Sequence, residues 1–292
     1  MSKLKVKKFI GLFFFTGILV SGNLHALASD SYDAEKAAEE IDSLMAKSLW
    51  QQAEAKIVSL LKSQPDAASN GLIFSNLGVC HTNMGRYDDA LEDFEIALLR
   101  FPESSRILTN KARTLLLVGR NEEALTTLNE AIKIKDNDAD LYRLRGMLNF
   151  NLKKYKEAKT DFNKLSELEG EEMMAESPEV LSLIARTALA NEETDEALAL
   201  YNQVIKSAKD PDLVVEALCC YLNLDSDENT KQAVNEVIKK FPEDGRLYLV
   251  AAVLCERAFL HSEADLNKKI AKQYGIDSQT IEFFIRQNLK NK

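Results

Sequence analysis

Histidine and cysteine are the residues with which this sequence could carry out catalysis or bind a metal. The first 28 residues have the character of a signal peptide and are set aside. Beyond them the only histidines are His81 and His261, which lie far apart and have no further ligand at a metal-binding spacing. His81 also falls at a core position of a helical pattern, where a buried imidazole with a hydrogen-bond partner is the usual arrangement. No phosphate-binding glycine loop or nucleophile elbow is present. We therefore predict no catalytic residue, no metal site and no cofactor, and a protein that is not an enzyme.

Four cysteines, Cys80, Cys219, Cys220 and Cys255, also lie beyond residue 28. An even number of cysteines in an oxidising compartment raises the question of disulfides. Cys219 or Cys220 could pair with Cys255 if adjacent helices bring the α-carbons within about 7 Å. The alternative is that all four are buried as small apolar residues between packed helices. The sequence leaves both arrangements open.

The elements that must position these residues are helices. The 292 residues are 46% apolar and include only 11 glycines and 5 prolines, so the composition favours an all-α protein with a substantial core. The formal net charge is −9, which argues against a protein whose whole surface coats nucleic acid or anionic lipid.

A period of 34 residues organises the middle of the chain, where 71–104, 105–138 and 139–172 align without gaps. We call these the first, second and third matched repeats. Small residues recur at two positions and large ones at two others: Gly78, Ala112 and Gly146; Ala90, Ala124 and Ala158; Phe74, Leu108 and Tyr142; Phe94, Leu128 and Phe162. Antiparallel helices approach to about 8 Å only where side chains are small, so the pattern predicts two packed helices per repeat.

This pattern resembles the tetratricopeptide repeat. The resemblance implies a right-handed α-solenoid of helix-turn-helix repeats with a C-terminal helical cap, because terminal units must shield their last apolar face. Weaker copies extend the array on both sides. The predicted organisation is a signal peptide at 1–28, a degenerate repeat at 29–70, three well-matched repeats at 71–172, two degenerate repeats at 173–244 and capping helices at 245–292.

In this family the first helix of each repeat lines a concave groove that binds peptides or protein segments. The resemblance implies the following groove candidates: Asn76, Asn83, Arg106, Thr109, Asn110, Arg113, Arg143, Met147 and Arg186. Four of them are arginines on an acidic protein, which favours an acidic or C-terminal peptide as the ligand. The alternative is that these arginines pair with carboxylates of neighbouring helices.

A second local pattern indicates a different class of protein. Residues 270–281 look like a DNA-reading helix-turn-helix, with Gly275 in the turn and a polar start to the second helix. Asp277 can equally be the N-cap of a helix that closes the array. Export argues against DNA binding, so we expect no nucleic acid partner.

The first 28 residues have the character of a signal peptide. Four lysines precede an apolar run from Phe9 to Val20, and the small residues Ala26 and Ala28 suit cleavage after Ala28. Twelve apolar residues are too few for a membrane span of about 20 residues, so no stable span is expected after cleavage. We predict a periplasmic or secreted bacterial protein that acts as an adaptor or scaffold. The alternative is a structural oligomerisation module that uses its outer face and C-terminal helices.

Overall fold

The computed structural model describes residues 32–63, 71–175, 177–224 and 227–289. Within these ranges every regular element is an α-helix, which confirms the all-α helical-repeat prediction. In chain order the helices are α1 Tyr32–Ala46, α2 Trp50–Ser63, α3 Gly71–Asn83, α4 Tyr87–Arg100, α5 Ser105–Leu117, α6 Asn121–Ile134, α7 Ala139–Asn151, α8 Tyr155–Ala175, α9 Pro178–Ala190, α10 Thr194–Ser207, α11 Pro211–Leu224, α12 Asp227–Lys240, α13 Gly245–Arg257, α14 His261–Gln273 and α15 Ser278–Leu289. The predicted signal peptide lies outside the described residues.

The described residues form two compact units, with those up to Leu141 in unit 1 and those from Tyr142 in unit 2. In unit 1, α1 packs on α2, α3 on α4 and α5 on α6. In unit 2, α9 packs on α10, α11 on α12 and α13 on α14, while α15 packs on α13. The helices α3, α5 and α7 begin at the first residues of the three matched repeats, so the period of 34 residues marks structural units. The domain boundaries drawn from the sequence stay a prediction.

Six described turns between the two helices of a pair share one geometry. One residue has a positive φ: Ser48, Gly85, Gly119, Lys153, Glu192 and Phe259. The amide that follows it donates to a carbonyl five residues earlier, as from Arg86 N to His81 O at 2.9 Å and from Leu260 N to Cys255 O at 2.8 Å. This bond satisfies a carbonyl left open at the helix end, so the same C-terminal cap closes α1, α3, α5, α7, α9 and α13.

Small residues stand where the two helices of a repeat approach most closely. A Cβ added at Gly78 would lie 2.7 Å from the ring of Phe94, and one added at Gly146 would lie 2.7 Å from the ring of Phe162. Both rings are buried. The glycine therefore makes room for the phenylalanine, as the sequence pattern predicts.

Two local features depart from continuous repeats. Helix α8 runs on to Ala175, but Gly170 interrupts it with φ 77° and ψ 166°. The turn between α14 and α15 contains Gly275 at φ 89°, and Asp277 Oδ1 accepts from Thr280 N at 2.9 Å, so Asp277 caps α15.

Among the helices of the described ranges, none is both long and apolar enough to cross a membrane.

Candidate protein-binding surface

The first helices of successive repeats lie side by side within each unit. In unit 1, Thr82 Oγ1 of α3 and Thr114 Oγ1 of α5 share a hydrogen bond of 2.8 Å. In unit 2, Ser182 Oγ of α9 donates to Glu216 Oε1 of α11 at 3.1 Å. We call the surface formed by α3 and α5 in unit 1, and that formed by α7, α9 and α11 in unit 2, the first-helix face of each unit.

The candidates of unit 1 differ in exposure. Asn76 is only 2% exposed, and its Nδ2 has no hydrogen-bond partner within the described residues. Asn83 is exposed at the end of α3, where its Nδ2 donates to Val79 O at 2.8 Å. Thr109 and Asn110 are half-buried. Asn76 therefore lies inside the packed unit, whereas the other three side chains reach the surface.

The two arginines of unit 1 both face carboxylates. Arg113 Nη2 donates to Asp140 Oδ2 at 3.1 Å. Burial lowers the pKa of Arg106, and the charge of Asp42 on α1 opposes that shift. Because Asp140 and Asp42 compensate these guanidinium groups, the first-helix face of unit 1 is less positive than its arginines alone indicate.

In unit 2 the remaining candidates gather around two ion pairs. Arg143 Nη2 donates to Glu169 Oε1, and Met147 is half-buried one turn further along α7. Arg186 lies over the ring of Phe150, 4.9 Å from its centroid. Its Nε is 3.8 Å from Glu216 Oε1. The arginine candidates Arg143 and Arg186 thus each have a carboxylate nearby, but the contact of Arg186 is much looser.

Three of the candidate arginines, Arg113, Arg143 and Arg186, therefore meet carboxylates of the same unit. This is the alternative to ligand binding that the sequence left open. Phe150, Ser182 and Glu216 are neighbours of these arginines that the sequence-based selection missed. They occupy the twelfth, fifth and sixth positions of the repeats that start at 139, 178 and 211. The candidates were taken from positions two, five, six, nine, twelve and thirteen, which the resemblance places in the groove, and these positions applied to every repeat would have found all three.

His81 is part of a buried polar network in the core. Its Nδ1 lies 2.6 Å from Asp93 Oδ2, and its Nε2 lies 3.3 Å from Glu54 Oε1. Burial raises the pKa of Asp93 to about 6, although the charge and hydrogen bond of His81 act in the opposite direction. The hydrogen bond from Arg86 lowers the pKa of Glu54. The imidazole joins α2, α3 and α4. This is the arrangement expected of a buried imidazole with hydrogen-bond partners at a core position.

The four cysteines are all free thiols. Cys80 is buried in the core of α1, α2 and α3, and burial raises the pKa of its thiol to about 12. Burial also raises the pKa of Cys219 to about 11. A thiol with a raised pKa has little thiolate at neutral pH, so these two side chains behave as packing residues.

Paired helices, a positive-φ turn and a period of 34 residues define a helical-repeat protein. Profiles of the tetratricopeptide repeat match residues 82–148 and 139–172. The chain is 31% identical over 138 residues to a tetratricopeptide repeat protein 36 homolog of Drosophila pseudoobscura pseudoobscura, covering 46% of this chain and 66% of that protein. It is 27% identical over 192 residues to human tetratricopeptide repeat protein 13, covering 63% of this chain and 21% of that protein. The chain belongs to the tetratricopeptide repeat family.

Solved structures show the same fold at low sequence identity. A tetratricopeptide repeat protein from Parabacteroides merdae has a TM-score of 0.56 and 21% identity, with 87% of this chain and 98% of that chain covered. PilF of Pseudomonas aeruginosa has a TM-score of 0.55 and 16% identity, with coverage of 87% and 96%. YrrB, described as a repeat protein with an unusual peptide-binding site, has a TM-score of 0.51 and 20% identity, with coverage of 66% and 95%. Together with the family, these likenesses support a protein-interaction scaffold in general.

Proposed function

We propose that this chain is an adaptor of the bacterial cell envelope that binds an extended segment of another protein on the first-helix face of unit 2. The observation that carries the proposal is the cluster of Phe150, Arg186 and Glu216. Three consecutive first helices, α7, α9 and α11, each contribute one of these side chains. A segment lying across the helices would contact all three, and YrrB, which has the same fold, is described as having a peptide-binding site.

Arg186 is the residue of this cluster that is best prepared for a ligand. Glu216 Oε1 already accepts from Ser182 Oγ at 3.1 Å and from Tyr201 OH at 3.4 Å. The contact between Arg186 Nε and Glu216 Oε1 is 3.8 Å, which is longer than a hydrogen bond. The ring of Phe150 holds the guanidinium group by a cation–π contact. Arg186 therefore keeps its planar set of donors for a carboxylate or a carbonyl of the ligand.

The charge of the ligand follows from these pairs. Arg113 and Arg143 donate to Asp140 and Glu169, so an acidic ligand must replace an existing carboxylate at those two positions. At Arg186 it adds a carboxylate to a loosely held guanidinium group. We propose that one acidic side chain or a C-terminal carboxylate of the ligand binds at Arg186, while neutral parts of the segment lie on Phe150 and Met147.

The test selects peptides from a displayed random library on the mature protein and measures their affinity by fluorescence anisotropy. Arg186→Gln should weaken the selected peptides about tenfold, the loss expected when a charged hydrogen bond is removed. Arg286→Gln is the matched control, because Arg286 is an exposed arginine on α15, outside this face. Replacing acidic residues of the peptide by amides should cause a loss of the same size as Arg186→Gln.

Two outcomes would contradict the proposal. The selection could give no peptide, or the selected peptides could bind wild type and Arg186→Gln equally well. Peptides that depend on Arg186 but not on their own carboxylates would support the binding face and reject the acidic ligand.

The location in the envelope rests on residues 1–28 alone. Expression of the whole chain in a bacterium, followed by mass measurement of the product, tests it. Processing after Ala28 should leave Ser29 as the first residue in the periplasmic or extracellular fraction. An unprocessed chain in the cytoplasm would reject the proposed location.

A further inference from the structure

A cleft of about 560 Å³ opens in unit 2 where α11 and α13 begin and α14 ends. This volume lies in the range of ligand-binding clefts, about 300 to 1,000 Å³. Four of the side chains that line it are rings, and we therefore call it the ring-lined cleft: Pro211, Phe241, Pro242 and Tyr274. Phe150, Arg186 and Glu216 of the peptide site proposed above do not line it, so the cleft is a further feature of this unit.

The walls of the ring-lined cleft are held by close packing. The ring of Tyr274 stacks on that of Tyr248, with centroids 5.8 Å apart and an angle of 26° between the planes. Tyr248 OH donates to Pro242 O at 2.9 Å. A Cβ added at Gly245 would lie only 2.9 Å from Ile276 Cγ1. Because these surfaces already pack on one another, a ligand can bind without first ordering them.

The cleft is specific to its repeat. The turn between α4 and α5 in unit 1 has the same residues Phe-Pro-Glu at 101–103 as the cleft has at 241–243. At the repeat positions of Pro211 and Tyr274, however, unit 1 has Gly71 and Ile134. The turn of unit 1 therefore lacks two of the four rings, which makes it a natural comparison for the cleft.

The central charges of the cleft are already paired. Asp244 Oδ2 accepts from Arg246 Nη2 at 2.6 Å, and Asp244 Oδ1 accepts from Arg246 Nε at 2.9 Å. Arg246 Nη1 donates to Asp212 Oδ1 at 2.6 Å. An acidic ligand would have to displace one of these two carboxylates. A guanidinium group has five N–H bonds, so Arg246 can still donate to a neutral acceptor such as a peptide carbonyl.

The border of the cleft carries charges of both signs. Glu243 is exposed. The ammonium group of Lys240 lies over the ring of Phe241, 5.4 Å from its centroid, and donates to Ala208 O. Neither an anion nor a cation is favoured by this border, so the rings supply the main contact with a ligand.

An extended segment that contains proline matches this combination of rings and donors. Its pyrrolidine ring is apolar and has no N–H to leave unsatisfied, and its carbonyls have no partner within the segment. Such segments bind in grooves lined by aromatic rings, and they lose little conformational entropy on binding. Tyr274 and Phe241 would contact the proline, and Arg246 would donate to a neighbouring carbonyl.

The ring-lined cleft continues the first-helix face of unit 2. Helix α11 contacts both α9 and α13, and the bond from Arg246 to Asp212 joins the first turns of α11 and α13. Burial raises the pKa of the Cys219 thiol, and of the charges near it Glu216 raises the pKa whereas Arg246 lowers it. Cys219 of α11 is therefore close to the peptide site at Glu216 and to the cleft at Arg246.

The distance between the two places sets the spacing of the ligand groups. Arg186 is the ninth residue of a repeat that starts at 178, and Arg246 is the second residue of one that starts at 245. Two helix spacings of about 10 Å, together with this offset of about 10 Å along the helix axis, give about 20 Å. An extended segment covers that distance with about six residues.

We propose that the ring-lined cleft is a second subsite of the peptide site, which binds a proline of the same extended segment about six residues from the acidic group at Arg186. This inference rests on the proposed function, because both require an extended segment of a partner protein on unit 2. It adds proline as the residue type that selects the ligand.

The test selects peptides from two displayed libraries on the mature protein. The first has about 16 random positions, enough to reach both subsites. The second contains no acidic residue and has two fixed central prolines, so it reports on the cleft alone and separates its failure from that of the Arg186 site. The affinities of the selected peptides are measured by fluorescence anisotropy.

Two pairs of variants separate the cleft from general effects of substitution. Tyr274→Leu removes a ring from the cleft, and Tyr87→Leu is its control, because Tyr87 begins α4 in unit 1. Pro242→Ala removes an exposed ring and leaves the carbonyl that Tyr248 contacts. Its control is Pro102→Ala, at the same place in the Phe-Pro-Glu turn of unit 1. Thermal unfolding shows that each variant is folded.

Peptides from the first library should contain proline about six residues from an acidic residue. Tyr274→Leu should weaken them about tenfold, and replacing their proline by alanine should cause a loss of the same size. Pro242→Ala should also weaken them, whereas the two control variants should bind as wild type does. Tyr274→Leu combined with Arg186→Gln should weaken them about a hundredfold, because separate contacts add in free energy.

Peptides that depend on Arg186 but bind Tyr274→Leu as wild type does would overturn this inference and leave the proposed function intact. Peptides of the second library that depend on Tyr274 would support the cleft even where no peptide depends on Arg186. Equal losses in Tyr274→Leu and Tyr87→Leu would overturn the inference, because the effect would then not be specific to the cleft. Tyr274-dependent peptides that are selected for lysine or arginine instead of proline would reject the proline ligand.

Discussion

The first and third matched repeats place a buried aspartate at the same position and satisfy it with different partners. Asp93 of the first repeat lies 2.6 Å from His81 Nδ1. Asp161 of the third repeat accepts from Arg145 Nε at 3.0 Å and from Asn149 Nδ2 at 2.9 Å. The second repeat has Thr127 in place of the aspartate, and its hydroxyl donates to Glu123 O at 2.8 Å.

The difference can be traced to two positions of the repeat. At the eleventh position, His81 of the first repeat is replaced by Asn149 of the third. At the seventh, Leu77 is replaced by Arg145. A permanent positive charge therefore compensates Asp161, whereas Asp93 depends on an imidazole, and burial raises its pKa to about 6. The register fixes where the carboxylate lies, and the neighbouring side chains decide which partner compensates its charge.

The largest expected effect is that of Arg145→Leu, which gives the third repeat the leucine of the first. Asp161 is only 2% exposed and would keep only Asn149, so we expect a loss of about 3 to 5 kcal/mol in the free energy of unfolding. Urea denaturation at pH 7 measures it. The double variant Arg145→Leu, Asp161→Asn should recover most of the loss, because the buried charge is gone. A loss of under about 1 kcal/mol would show that the pair behaves as a surface ion pair.

The next effect concerns the glycine that both repeats share. In Gly78→Ala and Gly146→Ala the new Cβ would lie 2.7 Å from Phe94 and Phe162, and overpacking of this kind costs about 1 to 3 kcal/mol. The second repeat carries Ala112 and Leu128 at these two positions. Combining Gly78→Ala with Phe94→Leu copies that natural pair, so denaturation should show the double variant to be more stable than Gly78→Ala alone. If it is not, the glycine is needed for a reason other than the ring.

The pH dependence of stability reports on Asp93. The pKa of Asp93 is raised above its usual value near 4, so its stabilising contribution is complete below about pH 4 and is lost as the pH rises through about 6. Asp93→Asn removes this contribution. The difference in unfolding free energy between wild type and variant should change by about 2 kcal/mol, in favour of the variant, from pH 4 to pH 7. Urea denaturation at several pH values measures it, and a constant difference would contradict the raised pKa.

Much of the fold follows from the sequence, because small and large residues at fixed positions have few ways to pack. The matched repeats start where Gly71, Ser105 and Ala139 begin their helices, and the crossing glycines pack against the phenylalanines of the same pattern. How closely two helices approach depends on the size of the side chains at their crossing, which a sequence states directly. This is the reason that the register could be predicted without any structure.

The partners of charged side chains could not be predicted in the same way. The sequence identifies Arg113, Arg143 and Arg186, but a long side chain reaches carboxylates on its own or the next helix with similar ease. Only the structure shows that Asp140, Glu169 and Glu216 are the ones that it meets. The positive φ of Phe259 is likewise visible only in the structure, because no glycine marks the turn that follows α13.

The smallest expected effect lies in the turns of the same two repeats. Gly85 of the first repeat has φ 78°, and Lys153 of the third has φ 62° at the equivalent position. Lys153→Gly relieves the left-handed strain but adds freedom to the unfolded chain, so we expect a net gain of about 0.5 kcal/mol in the free energy of unfolding. Gly85→Ala should lose about 1 kcal/mol, although nothing lies within 4 Å of the added Cβ. Denaturation of both variants tests the backbone as the cause, and a loss in Lys153→Gly as large as that in Gly85→Ala would mean that the lysine side chain, rather than φ, governs this turn.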